Sequence, residues 1–110
     1  MKRLPKTFGC PVELSLQLLG GKWKTVILAR LKESPLRYGE LRALIPQLSD
    51  KMLTERLADL QAAGLIELAG AKRDGGYRLS DRGESLRPIL QALYDWGEVQ
   101  AVALEVSVGR

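Results

Sequence analysis

Few residues in this sequence can carry reaction chemistry. Histidine is absent and Cys10 is the single cysteine, which removes Ser-His-Asp and Cys-His catalysis, His-ligated zinc and an imidazole pH switch. A lone thiol also excludes an internal disulfide and a Cys₂ or Cys₄ metal site, a usage typical of an intracellular chain. The carboxylates are scattered among basic residues rather than paired. A metal would have only carboxylates for ligands, so neither a metal nor a cofactor is expected. Gly21-Lys22 is followed by Trp23 and lacks the upstream glycine of a phosphate-binding Walker loop, and no G-x-G-x-x-G follows a strand-like run. The sequence does not read as an enzyme.

Cys10 itself is placed to react. Pro11 suits the first position of a helix, which makes Cys10 its N-cap. A thiol there feels the positive end of the helix dipole, and Lys6 is near in sequence; both favour the thiolate. With no second cysteine, a disulfide has to join two subunits or take up a small thiol. An inert, packed cysteine is the other reading of the same residue.

The remaining chemistry is charge. Of 110 residues, 17 are basic and 13 acidic, a net charge of +4. Residues 1–24 carry five basic side chains against Glu13, whereas residues 83–110 carry two against four acidic ones. A basic body with an acidic C-terminal segment suits a surface that meets a polyanion. The basic N-terminus is not followed by an apolar leader core, and no apolar run nears the roughly 20 residues that span a bilayer. A cytoplasmic protein without a membrane partner is expected.

The elements that must position these groups follow from periodicity and breakers. Val12, Leu16 and Leu19 recur at helical spacing until Gly20-Gly21 ends the run. A second helix runs from about Trp23 through Val26, Ile27, Arg30 and Leu31 until Ser34-Pro35 stops it. Leu36-Arg37-Tyr38 reads as a short extended piece, and a third helix passes through Leu41 and Leu44 to Pro46. Ser49 is a good N-cap for a fourth helix, about residues 49–63, with Leu53, Leu57 and Leu60 on one side and Gly64 as its stop. Two short strands, Leu65–Leu68 and Tyr77–Leu79, flank a glycine-containing loop and form a β-hairpin. A long C-terminal helix, about residues 81–106, carries Leu86, Ile89, Leu90, Leu93 and Trp96, and Pro88 should kink or restart it.

Helices in tandem across a tight turn, followed by a basic hairpin, predict a winged helix-turn-helix: mainly α, one domain over 1–110, with an arm at about 1–9 and a wing at about 65–79. On the fourth helix, Leu57 and Leu60 fall within about 40° of Leu53 at 100° per residue, which fixes the buried side. Ser49, Lys51, Thr54, Glu55 and Arg56 then face outward or lie on the flanks. Hydroxyls, lysine, arginine and glutamate are the groups that meet phosphates and base edges in a major groove. A plain solvated face carries the same pattern. Lys72, Arg73 and Arg78 on the hairpin, with Arg37 before the third helix and Lys22 and Lys24 around the second, are further DNA-backbone candidates.

Apolar positions continue past Trp96 through Val99, Val102, Leu104 and Val106. That stripe is too long for one small core to cover, and a second copy of the chain is the simplest cover. A fraying tail is the alternative. The expected interface is Val12, Leu16, Leu90, Leu93, Trp96 and Val99.

Several stretches together resemble the HxlR-type bacterial transcription regulators. They are Cys10-Pro11-Val12-Glu13, Gly20-Gly21-Lys22-Trp23-Lys24, Leu36-Arg37-Tyr38-Gly39-Glu40-Leu41, Leu48-Ser49-Asp50-Lys51-Met52-Leu53-Thr54, Leu60-Gln61-Ala62-Ala63-Gly64-Leu65-Ile66 and Tyr77-Arg78-Leu79-Ser80-Asp81-Arg82-Gly83. The resemblance covers nearly all of residues 10–97, in order. It implies a cytoplasmic, homodimeric, winged-helix regulator, MarR-like in form, that binds double-stranded DNA near promoters. It implies recognition by the Ser49–Ala63 helix, dimerisation through the N- and C-terminal helices, and, as in some members, a cysteine at position 10 that answers oxidants or electrophiles. The segment Ala71–Gly76 is shorter than members commonly carry. A winged helix used as a protein-interaction module, without DNA, is the rival function.

Overall fold

The computed structural model describes residues 4–70 and 75–109. Along the chain these form α1 (Pro11–Leu19), α2 (Lys22–Glu33), α3 (Tyr38–Leu44), α4 (Asp50–Ala62), β1 (Ile66–Leu68), β2 (Tyr77–Leu79), α5 (Asp81–Glu84) and α6 (Arg87–Ala103). The fold is mainly helical with a two-stranded antiparallel hairpin, a winged helix-turn-helix.

The core collects one side of each central helix. Ile27, Leu28 and Leu31 of α2 meet Leu41 of α3 and Leu53, Leu57 and Leu60 of α4, all buried. Ile45 and Leu48, either side of exposed Pro46 and Gln47, plug the turn between α3 and α4 into the same core. The hairpin pairs Ile66 with Leu79 and Leu68 with Tyr77. Leu36, expected only to be extended, adds a bridge to this small sheet: its N–H donates to the Tyr77 carbonyl at 3.0 Å and its carbonyl accepts from the Tyr77 N–H at 2.8 Å. Gly76 permits that approach, because its φ is +85° and a Cβ there would lie 2.6 Å from the Leu36 carbonyl oxygen.

The C-terminal segment is not one helix over 81–106. It is α5 and α6, separated at Ser85-Leu86, and α6 closes at Leu104. Pro88 is the cause. Its ring would strike the carbonyl of residue 84 in a continuous helix, and α5 ends at Glu84. The restart is anchored by Arg87. Its Nε and Nη2 donate to the Glu84 carboxylate at 2.9 and 3.0 Å, and its Nη1 donates to the Lys32 carbonyl at the end of α2 at 2.6 Å. The bond from Arg87 holds the Glu84 carboxyl below its ordinary pKa, and Glu84 raises that of Arg87 in turn. Beside it, the ammonium of buried Lys32 donates to Glu33 and, at 3.0 Å, to Gln91 of α6, and Lys32 lowers the pKa of Glu33.

Leu90 departs from the expected interface. It is 1% exposed and belongs to the protomer's core, because the side of α6 that carries it packs on α2. The next stripe round the helix, Ile89, Leu93 and Trp96, faces outward.

Candidate nucleic-acid interface

The turn Ile45–Ser49 delivers α4 with its first turn in solvent. Ser49 caps it: the side-chain oxygen accepts the Met52 N–H at 3.1 Å, which satisfies one of the free amides of the helix start. Asp50 adds a carboxylate at the positive end of the helix dipole. That carboxylate is held from α3. Asp50 Oδ1 accepts from Arg42 Nε at 2.8 Å and from Tyr38 Oη at 2.9 Å. Arg42 also donates from Nη1 to the Leu48 carbonyl, so one side chain ties the turn and the start of α4 together.

Periodicity places Lys51, Thr54 and Glu55 on the solvent side, and all three are exposed. Lys51 makes no ion pair with any described residue. Thr54 Oγ1 lies 3.4 Å from Tyr38 Oη. Arg56 is half-buried on the flank, 3.8 Å from the Glu55 carboxylate. Arg37, exposed, is the N-cap of α3, its backbone N–H donating to Glu40 at 2.8 Å. The hairpin stands alongside α4, and between them Tyr38, Thr54, Leu57, Ala58, Gln61, Leu68 and Tyr77 line a cleft of about 540 Å³.

Other candidates are engaged elsewhere. Arg78 on β2 pairs with Glu67 directly opposite on β1, at 2.8 Å, so its charge is locally offset. Lys24 pairs with Asp59 at 3.6 Å and ties α2 to α4; only 14% of its side chain is exposed. Lys22 lies over the Trp23 ring, 4.4 Å from its centroid. Lys72 and Arg73 fall outside the described residues.

Tyr38 and Arg42 are the positions that sequence reasoning passed over. Tyr38, expected to be extended, opens α3, and the two residues stand one turn apart on that helix. The available signal was Asp50: a carboxylate at a helix start preceded by an i, i+4 tyrosine–arginine pair.

Cys10 is exposed and occupies the N-cap of α1 in extended conformation. Its N–H donates to the Glu13 carboxylate at 2.7 Å. The thiol therefore stands at the outer end of a helix that buries none of its own residues. Val12 and Leu16 of α1 and Leu93, Trp96 and Val99 of α6 are exposed apolar side chains, Trp96 to 66% and Val99 to 64%. Among the described residues no group of three acidic or thiol side chains could hold a metal, and no helix is long and apolar enough to cross a membrane.

This arrangement of turn, polar helix face and hairpin has close relatives. The model of the HxlR-like helix-turn-helix family matches residues 18–104. The chain belongs to that family. The helix-turn-helix-type transcriptional regulator YdzF of Bacillus subtilis is 41% identical over 104 residues, spanning 91% of this chain and 95% of its own. The solved structure of the redox regulator HypR in its oxidised form superposes with a TM-score of 0.74 at 32% identity, over 82% of this chain and 96% of that one. The quinone-bound form of YodB from B. subtilis superposes with a TM-score of 0.68, also at 32% identity, over 81% of this chain and 98% of YodB. The chain is thus an HxlR-like transcriptional regulator by family, and its relatives are regulators rather than enzymes.

Proposed function

We propose that this chain is a homodimer that binds double-stranded DNA sequence-specifically and regulates transcription from nearby promoters in the cytoplasm. The reading is carried by the start of α4. Ser49, Lys51, Thr54 and Glu55 are all exposed on its first two turns, and Lys51 carries a charge that no described residue offsets. A helix entering a major groove by its N-terminal end presents such groups to bases and phosphates. Arg56 on the flank, and Arg37 and Arg78 to either side, extend the contact to the DNA backbone, and Lys72 and Arg73 remain candidates from the sequence.

The dimer rests on the exposed apolar side chains of α1 and α6, Val12, Leu16, Leu93, Trp96 and Val99. Two-fold symmetry calls for a palindromic operator with half-site centres about 34–36 Å apart, one turn of DNA. The test is gel-shift titration on the promoter next to the chain's own gene, with Lys51→Ala/Arg56→Ala beside the native protein. Loss of duplex binding with dimerisation intact supports the reading. No duplex affinity at low salt for the native protein favours a protein-interaction module instead.

A second observation favours a chemical switch at Cys10. Its exposed thiol is two residues from Val12 on the helix assigned to the dimer. Oxidation to an inter-subunit or small-thiol disulfide, or addition of an electrophile, would alter α1 where it meets the partner. The relatives HypR and YodB, a redox regulator and a quinone-binding protein, are in keeping with this. Operator affinity that is the same before and after diamide or quinone treatment of the native protein removes the switch.

A further inference from the structure

Thr25 and Thr54, the two helical threonines, differ in what their hydroxyls do. Thr25 of α2 donates back to the Gly21 carbonyl, four residues earlier, at 3.1 Å. This is the usual resting place of a helical threonine hydroxyl. The equivalent carbonyl for Thr54 is that of Asp50, and Thr54 makes no such bond. The Asp50 carbonyl is instead 3.2 Å from Tyr38 Oη, and the Thr54 hydroxyl lies 3.4 Å from that same phenol oxygen.

A phenol has one proton to give. Tyr38 has two acceptors from Asp50, the carboxylate at 2.9 Å and the backbone carbonyl at 3.2 Å. The ionised carboxylate is both nearer and the stronger acceptor. Arg42 Nε, 2.8 Å from the same Oδ1, holds the carboxylate in place. With the phenolic proton committed to Asp50, only lone pairs are left facing Thr54. The Thr54 hydroxyl is then the donor in the Tyr38–Thr54 contact, which leaves its own lone pairs to accept.

We infer that Tyr38 is a positioning residue for base recognition, fixing Thr54 as a hydrogen-bond acceptor in the major groove. This deepens the DNA-binding reading and rests on it. Adenine presents its N6 amino group and cytosine its N4 amino group where guanine and thymine present keto oxygens. An acceptor at Thr54 therefore selects adenine over guanine at a purine position, or cytosine over thymine at a pyrimidine position. A freely rotating hydroxyl would accept from either group or donate to either, and would discriminate little.

The test is selection of bound duplexes from a randomised library by the full-length native protein and by Tyr38→Phe, Thr54→Val and Thr54→Ser. Thr54→Val marks the base pair that Thr54 reads, as the one position at which preference is lost. At that position the native protein and Thr54→Ser favour the amino-bearing base by about tenfold. Tyr38→Phe loses that preference at that position alone, while its low-salt affinity for random duplex and its preferences elsewhere stay as in the native protein. Three results overturn the inference: Tyr38→Phe leaving the preference intact, Tyr38→Phe weakening every position equally, or a keto-bearing base favoured at the Thr54 position. If the native protein enriches no sequence, the DNA-binding reading falls, and this inference with it.

Discussion

Helices α4 and α6 each bury one side in the same core and turn the other to solvent, and their outward sides have opposite chemistry. α4 buries Leu53, Leu57 and Leu60 and exposes Lys51, Thr54 and Glu55. α6 buries Leu90 and Ala101 and exposes Leu93, Trp96, Val99 and Val102. A polar face is content in water and binds whatever complements its charge. An apolar face loses roughly 25 cal/mol for every Å² left wet, and gains by being covered. The contrast is what the proposed partners rest on: a polyanion suits the face of α4, and a second copy of the chain suits that of α6.

The largest test is to remove the apolar partner. Trp96→Asp should convert the protein to a folded monomer, seen by light scattering, and reduce operator affinity at least 100-fold. Each two-fold interface loses the tryptophan twice, and interface tryptophans are typical sites of about 2 kcal/mol or more. A dimeric Trp96→Asp protein would break the contrast by showing that α6 is not the covered face. The complementary change on α4 is milder. Lys51→Ala should weaken duplex binding by about tenfold and lower the salt slope by about 1 per subunit, leaving the dimer unaffected. An unchanged salt slope would mean that Lys51 meets no phosphate.

Between the two lies the joint that carries α4. Arg42→Ala removes donors to Asp50 and to the Leu48 carbonyl. Because Asp50 is 75% exposed, the ion pair counts for little, and the loss should be about 1 kcal/mol by chemical denaturation. A smaller effect is expected on the wing. Glu67→Gln should leave stability within about 0.5 kcal/mol, as exposed pairs do, while freeing Arg78 to strengthen DNA binding about threefold. Weaker binding by this variant would show that Glu67 orients Arg78 rather than masking it.

How far the sequence disclosed this molecule differs between the same two helices. On α4 the leucines occupy one side and polar residues the other, so the wheel separates buried Leu53 from exposed Lys51 without ambiguity. On α6 apolar residues occupy most of the circumference. Leu90 and Leu93 look alike in one dimension, and only packing against α2 decides that the first is core and the second is surface. Pro88 announced the restart because its clash with residue 84 is local. The Tyr38–Asp50–Arg42 cluster and the Lys24–Asp59 strut were hidden because each joins side chains from different helices. Backbone periodicity reports which face a residue occupies but not which polar atoms meet.

The smallest expected effect probes whether the two faces are rigidly joined. Arg87 holds Glu84, and through the Lys32 carbonyl it fastens the start of α6 to the end of α2. The Glu84 carboxyl is depressed below 4.5, chiefly by its hydrogen bond to Arg87. A carboxyl with a lowered folded pKa binds protons less readily than the unfolded chain does. Its contribution is therefore complete above the unfolded value and is lost as pH falls through the folded one. Glu33, lowered by Lys32 beside it, adds to the same trend. Thermal melts between neutral pH and pH about 3 should thus fall more steeply for the native protein than for Glu84→Gln. The native protein should therefore be slightly the more stable at neutral pH, by a small margin because both carboxylates are solvent-exposed and water screens them, and the two should converge near pH about 3. If the two proteins instead lose Tm in parallel on acidification, the Glu84–Arg87 pair is not what fastens α6, and the apolar contact of Leu86 and Leu90 alone holds α6 against the rest of the core.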